Sequence, residues 1–381
     1  MVPGRFGVVL PPAIPLPSDE QVARRLAQML AHDSSQTGDN ATTDRLMLML
    51  TRSCELRCSY CFVDVTESGW REPHPGTLAT SSLDQPPVGD LAEATARRAI
   101  DLLMSSPKPR LSIQLFGGEP TRRWDTVVLL LDYATSHRSR QGRELAIQLT
   151  TNGLGFDAGR LDELAAAGVV VQLSVDGAAH GNRFRRPHLT PQDDADTRWK
   201  AAVTALASGP ARWFLNVTVP PAAAGELPNR YADARAMGAP ALQLNYATGL
   251  RFSREQAQAY LRGLTGVLVD HARAPDLQLF NRQAAADPAP LCGDVLCDVD
   301  GTLLQVGGIF HEKRFPALRR AYVHGHVDTA ERWVGHRATL AQLWERTRAA
   351  LTEEETELFA NGMAMGAASD LVARTVRALV G

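Results

Sequence analysis

Residues 45–62 read RLMLMLTRSCELRCSYCF, and the order of events in this stretch decides the fold. The apolar run at its start has the length and composition of a buried strand. Three cysteines, Cys54, Cys58 and Cys61, then follow, separated by three and then two residues. Chemistry placed directly after a strand is the arrangement of parallel sheets, whose ligands gather at the carboxyl ends of the strands. Outward from here, the runs LSIQLFG, LAIQLTT, VVVQLSVDG, RWFLNVTV and ALQLNYATG alternate with segments of helical period at 90–105, 124–136, 158–167, 197–207, 229–237 and 255–271. Parallel strands need crossover helices and bury both faces, so six such units predict an α/β fold, an open or partial (β/α)6 barrel.

The barrel pattern occupies 45–273. Residues 1–44 read as an extension: a helix over 19–31 lies between a proline-rich start and the polar linker HDSSQTGDNATTD. Beyond 273 the alternation stops, and CGDVLCDVDGTLLQVGGIF (292–310) predicts a hairpin turning at Asp300-Gly301 within a smaller α+β unit over 274–381.

Composition excludes several classes of function. The 40 basic and 42 acidic side chains nearly cancel, so no overall field draws the chain to nucleic acid or to an anionic membrane. The proline-broken N-terminus fits neither a secretory signal nor a spanning helix, which makes the cytoplasm the expected compartment. Five cysteines, three of them on one loop, suit a metal better than a disulfide framework.

Three thiolates on one loop can ligate three irons of a cubane and leave the fourth iron open. The alternatives are a structural zinc site, which closes with four ligands in paired spacings, and unrelated core cysteines. Other strand ends carry small or polar residues. In Phe116-Gly117-Gly118-Glu119-Pro120 the glycines let a ligand approach the backbone, and Glu119 can accept from an ammonium group. Thr150-Thr151-Asn152-Gly153 and Ser174-Val175-Asp176-Gly177 follow the third and fourth strands, the latter leading to Arg183, Arg185 and Arg186. Asn-Gly and Asp-Gly also serve as ordinary turns. Asn216, Asn245 and Tyr246 are recommended only by their places on strands.

The Cys-x3-Cys-x2-Cys spacing, with Tyr60 before its last thiol, resembles the signature of the radical S-adenosylmethionine superfamily. The GGEP, TTNG and S-x-DG segments resemble its peptide- and protein-modifying branch. The resemblance implies that Cys54, Cys58 and Cys61 hold one 4Fe-4S cluster, whose open iron takes the amino and carboxylate groups of S-adenosylmethionine. It places Gly117, Gly118 and Glu119 at the methionine amine and Ser174 near the ribose, and it puts Tyr60 and Asn152 among the cofactor-binding positions. Arg185 would pair with the methionine carboxylate through its bidentate fork, Arg183 and Arg186 being alternatives. The partners implied are a precursor peptide and a reductant such as flavodoxin or ferredoxin, with neither nucleic acid nor membrane.

Residues 292–310, with HGHVDTAERWVGHRATLAQLW at 324–344, resemble a degenerate SPASM or twitch auxiliary-cluster domain. Cys292 and Gly301 fit it. Val306 stands in the place of its second cysteine, and no cysteine follows Cys297. The domain fold without a full auxiliary cluster is expected, the alternative being a cluster completed by His311, His324 or His326. The resemblance implies hydrogen abstraction from a ribosomally made peptide, ending in a crosslink or an inverted centre. The alternatives are radical chemistry on a small molecule or a protein side chain, as in sulfatase-maturing relatives, and a non-catalytic metal-binding protein.

Overall fold

The computed structural model describes residues 14–31, 42–63, 87–137, 142–176, 184, 191–282, 291, 294–309, 312, 314–333, 335 and 339–380. Six strands in succession, β1 (Thr43–Met49), β2 (Arg110–Phe116), β3 (Glu144–Thr151), β4 (Val170–Ser174), β5 (Arg212–Val219) and β6 (Ala241–Tyr246), pair in parallel in sequence order. After the N-terminal helix α1 (Asp19–Ala31), the crossover helices are α2 (Glu93–Met104), α3 (Trp124–Ser136), α4 (Ala158–Ala166), α5 (Gln192–Ser208) and α6 (Leu227–Ala236), and α7 (Arg254–Arg273) leads to the short strand β7 (Gln278–Leu279). Local chemistry sets their ends. Asp157 caps α4 by accepting from the Arg160 N–H at 2.9 Å, and Ser253 with Gln256 forms a capping box on α7.

The sheet does not stop at β1. Strand β8 (Val295–Cys297) pairs in parallel with β1 on the side away from β2, placing Cys297 beside Leu48. Strand β9 (Thr302–Gln305) returns antiparallel to β8, and β10 (Val323–His326) pairs with β9, so the described residues form one sheet of order β10-β9-β8-β1-β2-β3-β4-β5-β6-β7. The expected hairpin at Asp300-Gly301 is present. Gly301 has φ 85°, and a Cβ there would lie 2.8 Å from His326 Nε2. Three more helices, α8 (Pro316–Tyr322), α9 (Leu340–Ala350) and the 28-residue α10 (Glu353–Val380), complete the chain. Among the described residues no helix is long and apolar enough to cross a membrane.

The two faces of the sheet differ, which the expectation of burial on both sides did not foresee. The helix-facing side is apolar: Leu111, Ile113 and Leu115 on β2, Ile147 and Leu149 on β3, Val171 and Leu173 on β4, Leu215 and Val217 on β5, and Leu242 and Leu244 on β6 are all buried. Full burial of such side chains stabilises by roughly 1.5–3 kcal/mol each. Many intervening residues are polar, and most of these are half-buried: Ser112 and Gln114, Gln148 and Thr150, Gln172 and Ser174, Asn216 and Thr218, Gln243 and Asn245; Met47, Met49, Phe116 and Phe214 share this face by register and are buried. These polar side chains share the face opposite the buried leucines and valines.

Helix α1 packs on α10 rather than standing off the barrel. Arg25 Nε donates to Asp370 Oδ2 at 2.7 Å, and the same oxygen accepts from Arg374 Nε at 2.7 Å. A second apolar cluster gathers Leu291, Phe315, Leu318, Tyr322, Leu340, Leu343, Phe359 and Met363 around the C-terminal helices.

Candidate functional site

The site begins where β1 ends. The Leu50 N–H donates to Phe116 O at 2.8 Å, and the chain runs on beside the end of β2: Gly118 N donates to Thr51 O and Glu119 N to Ser53 O, both at 2.8 Å. This closeness explains the two glycines. A Cβ on Gly117 would stand 2.6 Å from Thr51 O, and one on Gly118 would stand 2.4 Å from Ser53 O and 3.1 Å from Cys54 Cβ. Their lack of side chains therefore lets the thiol-bearing loop lie against β2, a nearer demand than the ligand approach expected from sequence.

Cys54 is buried, while Cys58 and Cys61 are half-buried. The Cys54 sulfur accepts from Leu56 N at 3.4 Å and from Asn152 Nδ2 at 3.8 Å. Asn152 also donates to Glu55 Oε2 at 3.3 Å, and its own oxygen accepts from Leu154 N at 2.8 Å, which fixes the amide. Burial, followed by the charges of Glu119, Cys58 and Glu55, pushes the Cys54 thiol well above its ordinary range. A cation is what would hold a thiolate in such a place. Three thiols on one loop, with amide donors on the first sulfur, fit the cluster that the spacing implies. Among the described residues, no three His, Cys, Asp or Glu side chains are grouped to hold a single metal ion.

Glu119 lies beneath this loop with no exposed surface. Its Oε1 accepts from Thr121 N at 3.0 Å, Thr121 Oγ1 at 2.7 Å and Thr151 Oγ1 at 2.7 Å, and its Oε2 accepts from Asn152 N at 2.7 Å. Burial and the nearby Glu55 charge push its carboxyl up to about 7. In this arrangement Glu119 ties the end of β2 to the end of β3. Tyr60 reaches across to β4, its hydroxyl donating to the buried Asp176 Oδ2. Asp176 Oδ1 accepts from Thr218 N at 3.4 Å, and the Asp176 carbonyl accepts from Arg230 Nη1 on α6. Ser174 ends β4 in register with Asn216. Arg185, with Arg183 and Arg186, lies outside the described residues, as do Gly177, Cys292 and His311.

Cys297 is a buried thiol donating to the Asp298 carbonyl at 3.6 Å, its pKa raised by burial. Val306 is likewise buried. His326 Nε2 sits 2.7 Å from Asp300 O at the hairpin turn.

Two further groups of residues stand out, the first of them foreseen from sequence only at Thr150, Asn216 and Asn245. Across the inner face, Gln114 Nε2 donates to Thr150 Oγ1 at 2.8 Å, Gln148 Nε2 to Gln172 Oε1 at 2.5 Å, and Asn245 Nδ2 to Asn216 Oδ1 at 2.6 Å. Each carboxamide keeps donors or acceptors beyond these bonds. A cavity of about 330 Å³, lined by residues including Arg45, Met47, Ser112, Gln114, Gln148 and Asp294, opens on this face. The period-2 placement of Gln, Asn, Ser and Thr within the strands was the available signal. The second group is a buried quartet. Arg52 donates through Nε to Asp298 Oδ1 at 3.1 Å, through Nη2 to Asp298 Oδ2 at 2.5 Å, and through Nη2 to Glu312 Oε2 at 3.2 Å. Arg319 Nη1 donates to Asp298 and lies 3.8 Å from Glu312 Oε2. Burial would raise the Asp298 carboxyl, but Arg52 and Arg319 outweigh it and hold it low, whereas burial keeps Glu312 high. No local pattern marks these four positions.

Residues 48–221 match the family model described as the Radical SAM superfamily. The radical SAM cyclopropyl synthase TigE of Paramaledivibacter caminithermalis is 24% identical over 139 residues, which cover 36% of this chain and 28% of that protein. The uncharacterized protein MJ0907 of Methanocaldococcus jannaschii is 25% identical over 132 residues, covering 35% of this chain and 38% of that protein. The chain thus spans about a third of the length of the curated relatives it matches. Among solved structures, anSMEcpe with bound AdoMet superposes with a TM-score of 0.58 at 14% identity, over 81% of this chain and 82% of that one. The same enzyme with bound AdoMet and the Kp18Cys peptide gives 0.58 at 14% identity, over 83% and 82%. At that identity the likeness carries the fold.

Proposed function

The chain carries a radical SAM domain, and we propose that it is an enzyme that cleaves S-adenosylmethionine reductively and abstracts a hydrogen atom from a peptide. Cys54, Cys58 and Cys61 would hold one 4Fe-4S cluster. When bound, the cluster and S-adenosylmethionine supply the electron and the 5′-deoxyadenosyl radical on which the chemistry depends. The protein's own residues bind and orient. Asn152 donates to the first sulfur, and hydrogen bonds to sulfur are one lever on a cluster's potential. Tyr60, anchored on Asp176, holds the middle of the loop toward the end of β4. Ser174 and Arg185 are proposed for the ribose and the methionine carboxylate, and the backbone at Gly117 and Gly118 for the amine.

The observation that favours a peptide is the row of carboxamides and hydroxyls bonded across the inner face. Carboxamides present a donor and an acceptor side by side, which is what a main-chain amide presents in return. A ligand of high charge would find few counter-charges there: Arg45 at the amino-terminal end already lies 4.0 Å from Asp294. The loss of auxiliary thiols leaves inversion of a centre, or oxidation through the one cluster, as the proposed outcomes. The anSMEcpe structure with bound Kp18Cys peptide supports the substrate class by fold alone.

Anaerobic reconstitution followed by metal analysis is the first test, with about four irons per chain expected; one tightly held zinc would overturn the assignment. Co-expression with a short precursor encoded nearby is the second. Mass spectrometry is expected to show loss of two hydrogens or uptake of deuterium from heavy water, and neither change in any candidate would remove the peptide reading.

A further inference from the structure

We infer that Arg52 is a positioning residue through which residues 294–319 hold the thiol-bearing loop; its bearing on the cluster rests on the assignment of the cluster to that loop. Arg52 stands two residues before Cys54, and its side chain is fully buried. Two carboxylates it forks onto come from the C-terminal part of the sequence: Asp298 directly after β8, and Glu312 beyond β9. Arg319 on α8 closes the group, pairing with buried Asp298 and Glu312 and, at 3.9 Å, with Asp300 at the hairpin turn.

Buried ion pairs of this kind are weak evidence for stability, because desolvation cancels most of the attraction and an apolar set would pack as well. What a bidentate fork gives is direction: it fixes where the guanidinium and its backbone stand. The register of β8 on β1 sets Cys297 beside Leu48, so Asp298 emerges next to the point where the chain leaves β1. On its other flank the loop is held by main-chain bonds to Gly118 and Glu119. The start of the thiol-bearing loop is therefore held from the end of β2 and from the C-terminal segment, while further along Tyr60 is tied to Asp176 and the Ser59 N–H donates to Phe184 O at 2.9 Å. A displacement of Asp298, Glu312 and Arg319 is transmitted to the loop through Arg52.

The test compares the wild-type chain with Arg52→Met, Arg52→Lys and Glu312→Gln by amide hydrogen exchange, without metal. Arg52→Met is expected to speed exchange of residues 51–58 and 294–305 about tenfold or more, with β4 to β6 unchanged. Arg52→Lys, which keeps the charge and loses the fork, should fall between Arg52→Met and wild type, and Glu312→Gln should speed the same two segments. After reconstitution, a chelator should strip iron from Arg52→Met faster by a similar factor. Wild-type exchange in 51–58, or acceleration spread evenly over the chain in all three variants, would overturn the inference. Failure of the wild-type chain to take up iron would remove the cluster assignment instead, and the exchange comparison would still decide the coupling.

Discussion

The two faces of the sheet follow opposite rules. On the helix side, Leu149, Val171, Leu173 and Leu215 are sealed against crossover helices, and the cost of changing them is set by packing. On the inner side, Gln148, Gln172, Asn216 and Asn245 stand at positions only one residue away, are half-buried, and bond to one another in pairs. One face is apolar throughout these strands; the other mixes buried Met49 and Phe214 with a row of polar side chains, which is how a sheet makes room for a ligand. The rim above both, where β1, β2 and β3 end, carries the thiols, Glu119 and Asn152.

That contrast can be broken in several places. The largest effect is expected at the rim: with Cys54, Cys58 and Cys61 all replaced by alanine, iron content should fall to none and 5′-deoxyadenosine should no longer form under strong reductant, as read by metal analysis and chromatography. Next is the helix face, where Leu215→Ala should lower unfolding free energy by about 2–5 kcal/mol in urea titrations; a loss below about 1 kcal/mol would mean that this face is not close-packed. Gly118→Ala forces a methyl group toward Ser53 O and should cost about 1–3 kcal/mol. It should also leave reconstituted protein short of iron, which a simple packing defect on the helix side would not. The smallest stability effect belongs to the inner face. Gln148→Leu should shift unfolding by about 1 kcal/mol or less while raising KM for a peptide substrate and leaving 5′-deoxyadenosine formation without substrate unchanged. A stability loss there as large as that of Leu215→Ala would show the inner face to be core.

The strand-helix alternation, the thiol loop after β1 and the hairpin at Asp300-Gly301 were legible because each depends on neighbours within a few residues: a period, a spacing or a turn dipeptide. The amide face was equally periodic, with Ser112-x-Gln114, Gln148-x-Thr150, Gln172-x-Ser174, Asn216-x-Thr218 and Gln243-x-Asn245 each stepping by two. Sequence pointed only to Thr150, Ser174, Asn216 and Asn245 there, because parallel strands ordinarily bury both faces and a polar side chain within one then reads as an isolated exception. Helix α1, readable as a helix, was taken for an appendage; its docking depends on Asp370, more than three hundred positions away.

Glu119 marks the division well. Its GGEP setting announces a ligand-handling strand end, but four donors from β2 and β3 occupy the carboxylate in the folded chain, so its ties run through the rim itself.

Amino-acid order alone was enough to specify the six successive strands, their crossover helices and the cysteine loop, because hydrogen bonding along the backbone and the reach of one loop are local matters. The pairing of β8 with β1, the meeting of Arg52 with Asp298 and Glu312, and the bonding of carboxamides across neighbouring strands were decided only when the strands came together. Contacts between residues 52 and 312 have no period and no spacing to announce them; they exist because a strand from one end of the chain finds its neighbour at the other.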